Sequence, residues 1–234
     1  MMNFFAKSLV LVMLSCSCAS QGKAQHSTKV DQKQGIVVNH VPQRIETKAL
    51  YLFYISGYIV EAGNIRPTSP KFGVYEYELI LEAFRQSGFI VISEARKQSV
   101  EIEPYAAKVA EQVGQLLKAG VPPQNITVVG ASHGGWIAML VSTYSKNRDL
   151  KYAIIGACGA DDGFLKLVNL HGSLFFISEK TDRFPISLCH RYRADATGLV
   201  DYKELVTNTG QKHGFLFRPM KEWVEPVITW AQTH

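Results

Sequence analysis

The sequence predicts an α/β fold, in which a mostly parallel central sheet carries helices on both faces. Short apolar runs alternate with amphipathic stretches, and glycine or proline separates many of them. Uninterrupted apolar runs are typical of strands buried on both faces of a parallel sheet, and their alternation with helices is typical of βα units. With 234 residues, 47% of them hydrophobic, the chain can bury one substantial core, so we expect a single domain over residues 35–234.

The first half of this domain is expected to contain three strands and two helices. The first helix ends at Gly88, and the second has Pro104 in its first turn and ends at Gly120. In chain order the segments are strand GIVVNHVPQ, strand KALYLFYISGYIV, helix EYELILEAFRQSG, strand FIVISEAR and helix EPYAAKVAEQVGQLLKAG.

The second half continues the alternation to the end of the chain. No repeat or low-complexity segment interrupts it. The predicted segments are strand Ile126–Val129, helix Trp136–Tyr144, strand Tyr152–Gly156, a short apolar segment Phe164–Leu170, strand Leu174–Ser178, strand Glu204–Thr207 and helix Met220–Gln232.

Residues 1–24 have the layout of a secretory signal peptide. Lys7 precedes an apolar run over residues 8–14, and small residues follow, so cleavage is expected after Ser20 or after Ala24. The run is too short to span a bilayer as a helix. Cys16 lies where a bacterial lipoprotein carries its lipid, but Met13 fits that pattern poorly. The sequence therefore favours a secreted or periplasmic protein over a lipid-anchored one.

Charge and cysteine content exclude several function classes. The net charge of +5 comes from scattered basic residues, which gives little support to nucleic-acid binding. No His or Cys cluster has metal-ligand spacing, so we expect no metal and no other cofactor. Cys158 and Cys189 form either a disulfide, which an exported protein permits, or two buried thiols. The sequence makes no prediction of the oligomeric state.

The segment GASHGG, which begins at Gly130, carries the strongest chemical signal. It follows a predicted strand and precedes a predicted helix, as in a "nucleophile elbow". In such a turn the serine backbone is strained, and small residues two positions before and after it relieve the crowding. Ser132 would then project its hydroxyl at the positive end of the next helix.

A serine nucleophile needs a base, and the base needs an acid that orients it. His213 is the candidate base because it lies between Gly210 and Gly214, after the last predicted strand and before the final helix. The candidate acid is Asp182, four residues beyond the strand that ends at Ser178, because the expected chain order is serine, acid, histidine.

Other acids remain open as alternatives to Asp182. Glu179 lies on the same loop, and Asp161 and Asp162 follow the preceding strand. The oxyanion of an acyl-transfer intermediate needs two backbone N–H donors. The candidates are the amides of His133, next to the serine, and of Tyr58, which follows Gly57 after an earlier strand.

With these motifs, GASHGG, YISGY, SEKTD and KHGF, the chain from about Ala49 onward resembles a small α/β-hydrolase without a large lid. The resemblance implies an α/β-hydrolase fold with Ser132 as nucleophile, Asp182 as acid, His213 as base, and the Tyr58 and His133 amides as oxyanion hole. One departure is Ser56, where many members have histidine.

The resemblance implies a serine hydrolase that cleaves small esters or thioesters through an acyl-serine. Only about twenty residues separate the strands that end at Ile155 and begin at Leu174, which indicates an open site. We expect the irregular stretch Thr181–Leu199, with its three arginines, to form one wall of the site. Glu94 and Arg96 are expected either to line the cleft or to form a salt bridge. The alternatives are a non-catalytic binding protein and an acyltransferase or peptidase on the same fold.

Overall fold

The structure, a computed structural model, describes residues 35–62, 64–97, 101–159, 161–194 and 196–233. The predicted signal peptide and Cys16 lie outside these residues. The strands are β1 (Val37–Val38), β2 (Leu50–Ile55), β3 (Thr68–Ser69), β4 (Gly73–Val74), β5 (Phe89–Ile92), β6 (Ile126–Ala131), β7 (Lys151–Ile155), β8 (His171–Glu179) and β9 (Gly198–Thr207).

Helices occupy most of the connections between these strands. The α-helices are α1 (Tyr77–Gln86), α2 (Ile102–Lys118), α3 (His133–Ser145), α4 (Asp162–Leu167), α5 (His190–Ala194) and α6 (Lys221–Gln232). Short 3₁₀ helices cover Tyr58–Ala62, Pro123–Asn125, Ile186–Cys189 and Lys212–Phe217.

The central sheet of the described residues has seven strands in the order β1-β5-β2-β6-β7-β8-β9, and every pairing is parallel. The predicted α/β class is therefore confirmed. From β2 the chain passes to β5 on one side and later returns to β6 on the other side. The loops after β2 and β6 thus diverge, and ligands of open α/β sheets bind in the crevice that such loops leave.

Both faces of the sheet are buried, as the uninterrupted apolar runs predict. In β2, Tyr51 and Phe53 face a layer formed by α2, α3 and α4, whereas Leu52 and Tyr54 face the layer of α1 and α6. Side chains alternate across a strand, so a strand between two helical layers must be apolar at consecutive positions.

The structure differs from the sequence prediction at the sheet edges and in one connection. The first strand is shortened to Val37–Val38, and the second ends at Ile55, before a 3₁₀ helix. The last strand, Gly198–Thr207, is longer than predicted. It lies at an edge of the sheet and keeps many polar side chains exposed, so its sequence lacks the apolar run by which the other strands were predicted. The hairpin β3–β4 was not predicted from sequence.

Cys158, just beyond β7, forms a disulfide with Cys189, with Cα atoms 4.7 Å apart. The sequence left open a disulfide or two buried thiols for these cysteines, and the structure has the disulfide. None of the helices in the described ranges combines the length and the apolar character that a bilayer crossing requires. The same ranges contain no group of three or more His, Cys, Asp or Glu side chains that could hold a metal ion.

Candidate active site

Ser132 forms the sharp turn between β6 and α3. Its φ of 52° and ψ of −121° lie outside the regions that L-residues normally occupy. The turn is held by main-chain hydrogen bonds, from the Ser132 amide to the Ile155 carbonyl (2.8 Å) and from the Gly135 amide to the Ser132 carbonyl (2.8 Å). A strained residue that the surrounding structure holds in this way is a frequent feature of active sites.

The glycines around Ser132 are required by close backbone contacts. A Cβ on Gly130 would lie 2.3 Å from the Gly134 carbonyl oxygen, and one on Gly134 would lie 2.0 Å from the Ile55 oxygen. A Cβ on Gly135 would lie 2.4 Å from the Ala157 Cβ. Because none of these distances is tolerable, the small residues of GASHGG let α3 begin at once against β2 and β7.

The loop after β2 lies over the Ser132 turn, at the crevice between the diverging loops. A Cβ on Gly57 would lie 3.5 Å from the Ser132 Cβ, which is an ordinary contact, so glycine is not required there. The next residue, Tyr58, has its ring centroid 5.7 Å from that of His133. The two residues predicted to supply oxyanion donors thus lie side by side next to Ser132.

His213 contacts both of its predicted partners. Its Nε2 lies 2.8 Å from the Ser132 Oγ, and its Nδ1 lies 2.6 Å from Asp182 Oδ2. His213 is the second residue of the 3₁₀ helix Lys212–Phe217, and its imidazole packs edge-on against Phe184, with ring centroids 5.7 Å apart. A neutral imidazole that donates from Nδ1 to the carboxylate presents Nε2 as an acceptor to the serine hydroxyl.

Asp182 is the acid that reaches His213, and its side chain is only 2% exposed. Its other oxygen, Oδ1, accepts from the Arg183 amide at 2.7 Å. Asp161 instead caps α4 by accepting from the Phe164 amide, and Asp162 pairs with Arg191 at the surface.

Glu179, the alternative to Asp182, is fully buried and accepts hydrogen bonds from two loops. Its Oε1 accepts from the Thr181 amide and hydroxyl and from the Gly210 amide. Its Oε2 accepts from the hydroxyls of Thr207 and Thr209 and from the Thr209 amide. The carboxylate therefore ties the loop of Asp182 to the loop of His213.

These hydrogen bonds control the ionisation of Glu179. Burial by itself would raise the pKa of the carboxyl, but the Thr209 amide and the Thr207, Thr209 and Thr181 hydroxyls together lower that pKa to about 2. Donors to a carboxylate stabilise its charged form. Sequence reasoning missed this role, for which the threonines at positions 181, 207 and 209 were the available signal.

Arg96 lies beneath the loop after β2 and is 2% exposed. Its guanidinium donates to the Ser56 carbonyl at 2.7 Å and packs over the Tyr105 ring at 5.3 Å. It therefore supports the loop that carries Tyr58. Glu94 forms a salt bridge with Lys108, a partner that the sequence analysis did not name.

The walls beside His213 differ in part from the expected ones. Of the three arginines in Thr181–Leu199, Arg183 lines a cavity with His213, whereas Arg191 pairs with Asp162 and Arg193 packs over the Tyr202 ring. Another part of the lining comes from the unpredicted hairpin, whose turn carries Lys71 and Phe72.

Comparison with known proteins gives structural matches only. No protein-family model matches the chain, and no curated protein sequence matches it. A protein provisionally named dienelactone hydrolase, from Klebsiella pneumoniae subsp. pneumoniae, matches over 82% of this chain and 90% of its own, with 11% identity and a TM-score of 0.55. An arylesterase matches over 82% and 77%, with 12% identity and a TM-score of 0.54.

An esterase/lipase from an uncultured bacterium matches over 79% of this chain and 75% of its own, with 12% identity and a TM-score of 0.53. At such low identity these matches establish the fold and leave substrates open. Together with the parallel sheet and the strand–turn–helix at Ser132, they show that this protein has the α/β-hydrolase fold.

Proposed function

We propose that this protein is a serine hydrolase that cleaves small esters or thioesters through an acyl-serine intermediate. The observation that carries the proposal is the unbroken contact from Asp182 through His213 to Ser132, at 2.6 Å and 2.8 Å. The non-catalytic binding protein would be favoured by a His213 out of reach of Ser132. The observed distances support the enzyme instead.

In the proposed reaction Ser132 attacks the ester carbonyl while His213 Nε2 takes the hydroxyl proton. The oxygen of the tetrahedral intermediate accepts from the amides of Tyr58 and His133, at the N-terminus of the 13-residue helix α3, whose dipole favours negative charge. His213 then gives its proton to the leaving oxygen, and the acyl group remains on Ser132. Water activated by His213 releases the acid, and Asp182 stabilises the imidazolium in both steps.

The connection after β7 supports a small substrate. Among its described residues it contains only the six-residue helix α4 before β8 begins, so this connection provides no large helical cap over Ser132. We therefore expect short acyl groups to be turned over faster than long ones.

Replacing Ser132 tests the proposal most directly. Ser132→Ala should lower kcat for phenyl acetate by roughly 10⁶-fold, as loss of the nucleophile does in a characterised serine protease. The same change should abolish labelling by a fluorophosphonate, whose phosphorus reacts with an activated hydroxyl. Ser187→Ala, at an exposed serine of a 3₁₀ helix, is the matched control and should keep both properties. Unchanged turnover by Ser132→Ala would remove this residue from the mechanism.

We also propose that the protein is exported, with removal of residues up to Ser20 or Ala24. The N-terminal sequence supports this, and so does the Cys158–Cys189 disulfide, since such bonds persist in oxidising compartments. Intact-mass measurement on protein from its native host should give a chain that begins at Gln21 or Gln25. A mass that retains Met1 would refute export, and a lipid adduct on Cys16 would favour the anchored alternative.

A further inference from the structure

A cavity of about 500 Å³ lies directly beside His213 and Asp182. The hairpin turn between β3 and β4 contributes Phe72 to its lining, and the acid loop contributes Thr181. Three basic side chains complete the lining, Lys71 from the hairpin, Arg183 from the acid loop and Lys212 from the histidine loop. The three surrounding segments thus each contribute one cation.

These three cations have no carboxylate within salt-bridge distance in the described part of the chain. The acids nearby are already engaged, because Asp182 bonds to His213 and to the Arg183 amide. Glu179 is buried among its six donors. The lining thus carries three cations against the single carboxylate of Asp182. A cleft with an excess of one sign of charge concentrates ions of the opposite sign.

Aromatic rings lie against two of the cations, and the backbone positions the residue that carries the third. The Lys71 Nζ lies 5.3 Å from the centre of the Phe72 ring, and the Arg183 guanidinium lies 4.6 Å from that of Phe184. Lys212 has a φ of 52°, a left-handed conformation that favours glycine. Its amide donates to the Thr181 hydroxyl at 3.1 Å. The chain thus keeps a lysine beside His213 at a position where glycine would be less strained.

We propose that this cavity binds an anionic group, a carboxylate or a phosphate, on the alcohol side of the substrate ester. The inference rests on the proposed function, because it is His213 that must protonate the leaving oxygen. The alcohol therefore lies on the His213 side of Ser132, whereas the carbonyl oxygen faces Tyr58 and His133. The cavity that His213 and Asp182 line is on the alcohol side.

Matched acetate esters test the inference. The anionic substrates are 4-acetoxybenzoate and 4-acetoxyphenyl phosphate, and 4-acetoxybenzamide is the neutral isostere of the first. Each kcat/KM is divided by the rate constant for hydroxide hydrolysis, which corrects for leaving-group reactivity. We expect the corrected kcat/KM to be about tenfold or more higher for an anionic ester than for 4-acetoxybenzamide, which we call the anion-to-amide ratio. This ratio should fall in 0.5 M NaCl, because salt screens exposed charges. The anionic ester with the higher corrected kcat/KM identifies carboxylate or phosphate as the natural group.

Charge-removing variants locate the preference in the cavity. Lys71→Gln, Arg183→Gln and Lys212→Gln should each lower the anion-to-amide ratio about two- to fivefold, the range expected for one exposed ion pair. Lys180→Gln is the matched control, because it removes the same charge from an exposed side chain of the same loop that does not line the cavity. This control should keep the wild-type ratio. Each variant is first checked for an unchanged thermal transition.

The outcomes separate this inference from the proposed function. If the acetate ester group of 4-acetoxybenzamide is hydrolysed in a Ser132-dependent way but the anionic esters are not preferred, the inference is wrong and the proposed function stands. The inference would also be wrong if Lys180→Gln lowered the anion-to-amide ratio as much as the cavity variants do, since the effect would then come from the overall charge of the protein. If no ester is hydrolysed and no fluorophosphonate label forms, both the proposed function and the inference fail.

Discussion

The turn that carries Ser132 and the two loops that carry Asp182 and His213 meet at one site, but different interactions hold them in place. The turn depends on the backbone, because glycines at 130 and 134 allow close contact and main-chain hydrogen bonds fix the strained serine. The loops depend on one buried side chain, Glu179, whose oxygens bind amides and hydroxyls from both of them. The turn is thus constrained by its main chain, whereas side-chain hydrogen bonds join two loops that lie about thirty residues apart in the chain.

This difference predicts two kinds of sensitivity. The turn should be intolerant of added atoms at any pH, because the constraint on it is steric. The loops should tolerate changes of size better but should respond to acid, because a carboxylate charge holds them. Asp182→Asn, which has the largest expected effect, tests the contact that the loops position. Gly134→Ala and Glu179→Gln then break the two constraints themselves.

Asp182→Asn should lower kcat for a short ester by about 10⁴-fold, because an amide stabilises the wrong tautomer of the histidine and cannot stabilise its cation. Asp161→Asn is the matched control, since asparagine caps a helix as well as aspartate does. It should leave kcat near the wild-type value. If only the Asp161 variant lost activity, the acid would lie on the loop after β7.

Gly134→Ala should destabilise the fold by about 3 kcal/mol or more, because its Cβ would lie 2.0 Å from the Ile55 carbonyl oxygen and α3 would have to move away from β2. Gly114→Ala, inside α2, is the control, since a Cβ there meets nothing within 4 Å. It should stabilise the protein by about 0.5–1 kcal/mol through helix propensity. Urea unfolding at pH 7 measures both, and equal effects would contradict the steric account of the turn.

Glu179→Gln should remove a pH-dependent part of the stability, of about 2–3 kcal/mol at neutral pH. The pKa of Glu179 is lowered to about 2 in the folded protein, against an ordinary value of 4.5. Its contribution is therefore complete above pH 4.5 and is lost as the pH falls from 4.5 towards 2. In the variant, an NH₂ group must face a backbone N–H in either orientation, because both oxygens of Glu179 accept from amides.

Urea unfolding between pH 2 and pH 7 measures this contribution. The wild type should lose stability more steeply than Glu179→Gln between pH 4.5 and pH 2, so the difference between the two free energies of unfolding should narrow towards the acid end. Curves that stay parallel over this range would mean that the Glu179 charge does not hold the loops. Gly134→Ala is a useful comparison here, because its deficit should remain constant with pH.

The fold class and the serine turn could be predicted from sequence because both depend on short-range patterns. Apolar runs of consecutive residues, such as Leu50–Ile55, require burial on two faces wherever they lie. The segment GASHGG predicts a crowded turn because the contacts of its glycines are made largely within the turn and with the adjoining strands. The hairpin β3–β4 was missed because its strands have two residues each, too few to show a period.

By itself the sequence determined a parallel α/β sheet, a strained serine turn after its fourth apolar run, and a histidine in a loop near the end of the chain. Only the tertiary structure decided which of four carboxylates reaches that histidine, since Asp161, Asp162, Glu179 and Asp182 all lie at or beyond the ends of β7 and β8, at the same edge of the sheet. It also decided that Lys71, Arg183 and Lys212 surround one cavity. The reason is physical: burial on two faces and a crowded turn each require a particular composition of one short segment, whereas the direction of a loop side chain depends on hydrogen bonds to segments far away in sequence.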